Sequence, residues 1–81
     1  MTGRADVAAL FGATLRRLRH EEGLTQEEVA ARLEGPVPGL SRFENGHAVP
    51  DMYTVVRLAR ALRVPLYDLV QPLDALVEEG L

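Results

Sequence analysis

Glycine and proline cut this chain of 81 residues into short pieces, and that punctuation constrains its fold more than any other feature. The breaks fall at Gly23, Gly35–Pro36, Pro38–Gly39, Gly46, Pro50, Pro65 and Pro72. Glycine accepts left-handed backbone and proline lacks an amide hydrogen, so each ends or redirects a helix. The pieces between them carry apolar residues at helical spacing, and none alternates with a period of two. The sequence therefore predicts an all-α fold of short helices and no sheet.

The first helix is expected over residues 6–22, with Asp6 as its cap and Gly23 as its left-handed stop. Phe11, Leu15 and Leu18 form its apolar face. Thr25 followed three residues later by Glu28 reads as a capping box opening a second helix, with Leu24 stapled onto Val29. Val29, Ala30 and Leu33 would face inward, Ala30 being the small residue where two helices cross. A third helix is expected over residues 38–45, with Leu40 and Phe43 inward and Gly46 ending it. A fourth follows Asp51 and carries Met52, Val55, Val56, Leu58, Ala59 and Leu62. A fifth starts near Leu66, and Pro72 either kinks it or opens a final helix.

Eighty-one residues suit one domain, and a chain this short buries only about 60% of its unfolded surface. There is no cysteine, which excludes disulfides and thiolate metal sites. His20 has no second histidine near it, so no metal or other cofactor is expected. No apolar run approaches the ~20 residues that span a membrane, and the N-terminus lacks a signal-like stretch, so a cytoplasmic location is expected. A net charge of -3 looks unfavourable for a nucleic-acid ligand, but it is unevenly placed. Residues 1–63 hold nine arginines and eight acids, a net of +1, whereas residues 64–81 hold four acids and no base.

The ordered set from residue 15 to residue 69 resembles the phage-repressor/Cro (XRE) family of helix-turn-helix transcription regulators. It comprises Leu15-Arg16-Arg17-Leu18-Arg19, Gly23-Leu24-Thr25-Gln26-Glu27-Glu28-Val29-Ala30, and Leu40-Ser41-Arg42-Phe43-Glu44-Asn45-Gly46. Pro50, Thr54, Leu58-Ala59, Ala61-Leu62 and Leu66 through Leu69 complete it, without a gap. The resemblance implies a five-helix, lambda-repressor-like fold with a C-terminal helical extension, and double-stranded DNA as partner. It implies that Gln26 holds a backbone phosphate, at a helix end that already favours an anion. It also implies an ion pair between Arg19 and Glu44 that fixes the third helix against the first, and a backbone contact near Asn45. The positions matching the family's base readers are Val37, Pro38, Gly39, Ser41 and Arg42. Arg42 would take guanine O6 and N7 bidentately, while Val37 and Pro38 would touch thymine methyls.

The turn before the third helix departs from the family. It reads Leu33-Glu34-Gly35-Pro36-Val37-Pro38-Gly39, with glycine one residue late and two prolines around Val37. Pro38 biases Val37 away from helical geometry, so the third helix should start at Pro38. Hydrogen-bonded base readout then rests on Ser41 and Arg42.

The chain divides into a DNA-binding part, residues 1–70, and a helical tail, residues 71–81. Leu66, Leu69, Leu73, Leu76 and Val77 make a stripe that four helices of core leave over, and a homodimer contact is expected there. The expected function is a sequence-directed DNA-binding regulator, a repressor or autoregulator acting as a homodimer. The alternative is a protein-interaction module on the same fold, antitoxin-like or anti-repressor, with a protein partner and little base reading. No spacing suits catalysis, so an enzyme is not expected.

Overall fold

The computed structural model describes residues 3–33 and 39–79. Six helices run in chain order: α1 (Arg4–Glu21), α2 (Gln26–Arg32), α3 (Leu40–Glu44), α4 (Met52–Leu62), α5 (Leu66–Val70) and α6 (Asp74–Glu78). A 3-10 turn at Gln71–Leu73 joins the last two and contains Pro72. The described residues contain no strand.

Local chemistry sets most helix ends. Thr25 Oγ1 accepts from the Glu28 amide and Glu28 Oε1 accepts from the Thr25 amide, both at 3.0 Å. Asp51 Oδ1 accepts from the Thr54 amide at 2.7 Å and opens α4. Gly23 and Gly46 take the left-handed backbone that stops α1 and α3. Helix α1 begins earlier than the sequence suggests. Gly3 is its cap, and Asp6 lies inside the first turn, its carboxylate accepting from the Gly3 amide at 3.0 Å. Helix α3 begins later, at Leu40, because Gly39 is left-handed with φ 86°. The expected start at Pro38 lies outside the described residues.

The core is built from α1 to α5. Leu15, Val29, Leu58, Leu62 and Leu69 are fully enclosed, and Phe11, Leu18, Leu40 and Val55 pack with them. Leu24, Leu33, Phe43, Val70 and Leu73 press on the edge of this cluster. The tail expectation needs correction here. Leu69 is fully enclosed in the core and so is not available to a partner, while Leu73 is half-buried and packs on that core. Helix α5 and the 3-10 turn pack against α1, and α5 also packs against α4. Leu66 and Val77 remain exposed, at 38% and 64%, Leu76 is half-buried, and Leu81 lies outside the described residues.

The close crossing is not at Ala30, which is exposed. It is at Gly12, where α1 meets α3. A Cβ on Gly12 would lie 2.2 Å from the Phe43 carbonyl oxygen and 2.8 Å from that of Glu44. Only a residue without a side chain lets the two backbones approach this closely. Gly46 plays a lesser version of the same part, since its Cβ would come within 3.0 Å of Ala9 Cα.

Candidate nucleic-acid interface

Helix α3 is only five residues long, too short to hold its shape alone. Its orientation comes from what its inner side touches. Leu40 and Glu44, one turn apart, are buried, and Phe43 beside them is half-buried. Ser41, Arg42 and Asn45 are on the opposite side and exposed. Ser41 and Asn45 are four residues apart and share one line along the helix.

Glu44 is the anchor. Its side chain is 1% exposed and that of Arg19 is 10% exposed. Arg19 Nε donates to Glu44 Oε2 at 2.6 Å and Nη2 donates to Oε1 at 2.9 Å, a two-pronged contact between planar groups. The third arm, Nη1, donates to the Leu24 carbonyl at 2.8 Å. Gln26 Nε2 donates to Glu44 Oε1 at 3.1 Å. One carboxylate thus ties the end of α1, the start of α2 and the end of α3 together.

Burial alone pushes the Glu44 carboxyl up. The hydrogen bonds from Arg19 and Gln26, with the charges of Arg19 and Arg16, outweigh it and hold Glu44 below the ordinary glutamate range. The Glu44 hydrogen bond likewise raises Arg19, against the effect of burial. Both groups are therefore charged, and each satisfies the other in a place water barely reaches.

Gln26 is half-buried at the first position of α2. One amide hydrogen goes to Glu44; a primary amide has a second, which remains for another acceptor. Arg42 is steered by Gly39. A Cβ there would lie 3.2–3.3 Å from three carbons of the Arg42 stem, so the stem lies along the glycine. Gly39 thus bears on the site through Arg42's placement. Val37 and Pro38 fall outside the described residues. The structure therefore brings Gln26, Ser41, Arg42 and Asn45 to the α2–α3 side, with Arg19 and Glu44 behind them.

The sequence reading missed two residues. Gly12 carried a signal, a lone glycine inside a helical pattern with no turn around it. Arg32 carried none. Its Nη1 donates to the Ala61 carbonyl at 3.0 Å and pins the end of α2 to α4. Among the described residues no group of His, Asp or Glu is placed to hold a metal ion. No helix among them is long and apolar enough to cross a membrane.

A short helix held across the end of another, with its polar side turned outward, defines a helix-turn-helix unit. The chain belongs to the helix-turn-helix domain family, whose pattern it matches over residues 10–73, and more broadly to the DNA-binding HTH-type transcription regulators. It is 45% identical to y4dJ of Sinorhizobium fredii, described as an uncharacterized HTH-type transcriptional regulator, over 85% of this chain and 90% of that one. It is 43% identical to the HTH-type transcriptional repressor RghR of Bacillus subtilis, over 68% of this chain and 42% of RghR. It is 33% identical to the cryptic phage CTXphi transcriptional repressor RstR of Vibrio cholerae, over 89% of this chain and 65% of RstR. The chain thus spans most of the first relative but less than half of RghR.

Proposed function

We propose that this protein is a sequence-directed repressor that binds operator DNA as a homodimer through α3. The observation that carries the reading is the two-sidedness of that helix. Glu44 is locked inward by Arg19 and Gln26, and this leaves Ser41, Arg42 and Asn45 on the exposed side. In this reading α3 enters the major groove. Arg42 donates to guanine O6 and N7, Ser41 adds a single hydrogen bond, and Gln26 gives its second amide hydrogen to a phosphate. Asn45 meets the backbone beyond the helix. Two relatives named as repressors, RghR and RstR, favour repression over activation.

A homodimer supplies what one short helix lacks. Two copies about 34 Å apart would read successive major grooves on one face of the duplex. Leu66 and Val77 are the exposed apolar residues of the expected interface, and Leu76 is partly exposed beside them.

The test is selection of bound fragments from random duplex DNA, followed by affinity measured against salt. A recurring sequence, with affinity that falls steeply as salt rises, is expected. Absence of binding even at low salt would remove this reading and favour the protein-interaction module.

A further inference from the structure

Glu27 and Glu28 are both exposed in the first turn of α2, next to Gln26, but the structure ties them down differently. Glu28 closes the capping box with Thr25 through two hydrogen bonds of 3.0 Å. The charge of Arg32, four residues on, also acts on it. Glu27 takes no part in the cap. Three and four residues on from it stand Ala30 and Ala31, so α2 offers it no cation. Among the described residues Glu27 makes no hydrogen bond and no ion pair, and residues 34–38 carry no base. Its charge acts instead on Arg19. Arg19 holds Glu44, and Glu44 Oε1 takes one amide hydrogen of Gln26. The field of Glu27 therefore reaches the junction at which Gln26 has its second amide hydrogen to give.

An acid in a first turn favours the helix, because it meets the positive end of the backbone dipoles. The same charge opposes any anion brought beside it. We infer that Glu27 is an affinity-setting residue: it repels the phosphate that Gln26 holds and so weakens the grip of this protein on every duplex. The inference rests on the reading of Gln26 as a phosphate contact and deepens it. Glu27 chooses no sequence, because any duplex brings a phosphate to this place. It acts through space at an exposed position, so salt screens it. Stability and affinity then pull in opposite directions at this one position.

The experiment is fluorescence anisotropy with the full chain, on the selected site and on a random duplex, at about 50 and about 200 mM salt. Circular dichroism verifies folding of each variant. Glu27→Gln should tighten both duplexes about threefold to tenfold at the lower salt, and by less at the higher. Glu27→Arg should tighten them further and steepen the log–log salt dependence by about 0.9 per copy. Asp68→Asn makes the same change in net charge on α5, which packs on α1 and α4, and should leave affinity within about twofold. The urea midpoint of Glu27→Gln should meanwhile fall slightly, because α2 loses an acid from its first turn. Gln26→Ala tests the phosphate contact by itself and should weaken both duplexes. If the parent binds no duplex at low salt, or Gln26→Ala has no effect, the contact fails and this inference with it. If Gln26→Ala weakens binding while Glu27→Gln leaves it unchanged or weaker, the inference alone is overturned. A gain confined to the selected site, or one matched by Asp68→Asn, overturns it too, since Glu27 would then act on a base or through net charge.

Discussion

Replacing Glu44 with alanine should destabilise this domain more than almost any other single polar change. The substitution removes two hydrogen bonds from Arg19 and one from Gln26. Arg19 then keeps its hydrogen bond to the Leu24 carbonyl and the weaker pull of the Glu27 charge, in a position where its side chain is 10% exposed. Stranding one member of a buried ion pair costs about 3–5 kcal/mol. A domain of this length has a total stability on the order of 4–12 kcal/mol. With a urea slope near ~1 kcal/mol/M for so small a protein, the midpoint should fall by about 3 M or more. Glu44→Gln keeps the shape and one acceptor but loses the charge, and should cost about half as much. The pH dependence carries the sign. The folded carboxyl sits below its ordinary value, so its stabilisation is complete above the unfolded value near ~4.3 and is lost as pH falls through the folded one. The stability of Glu44→Gln should therefore fall less steeply than that of the parent below about pH 4.3. The assay is urea unfolding followed by circular dichroism from neutral pH downward. A loss under about 1 kcal/mol for Glu44→Ala is what an exposed pair gives, and that result would refute the reasoning.

Three further outcomes are expected. Gly12→Ala would gain about 1 kcal/mol from helix propensity in open space, but here its methyl meets the Phe43 carbonyl, and a net loss of about 1–3 kcal/mol should appear in thermal unfolding; a stabilised variant would mean α1 and α3 do not cross this closely. Leu69→Ala should cost about 2–5 kcal/mol in denaturant unfolding, because Leu69 is fully enclosed in the core; a small change would return it to the surface. Arg42→Ala should lose about 1–3 kcal/mol of discrimination at one base-pair position in a competition assay against single-base variants of the selected site. Uniform weakening across sequences, with a shallower salt dependence, would instead make Arg42 a phosphate contact.

The sequence by itself determined the helices and most of their ends. Thr25 with Glu28, Asp51, Gly23 and Gly46 act through the backbone within three or four residues, and such effects are local enough to read along the chain. It determined the family too, because so many spacings agree at once from Leu15 to Leu69. It also pointed to Arg19 and Glu44 through that resemblance, though not through anything in their own neighbourhoods. What only the tertiary structure decided is which residues meet across distance. Ala30 and Gly12 are both small residues on helices, and only the approach of α3 makes Gly12 the one that cannot carry a side chain. Leu69 and Val77 look alike in a stripe, yet the packing of α5 on α1 and α4 encloses the first, and the second stays in solvent. Glu44 is one acid among twelve until Arg19 and Gln26 converge on it. Local chemistry depends on neighbours in the chain, whereas close approach, burial and charge pairing depend on neighbours in space, and those exist only once the helices have packed.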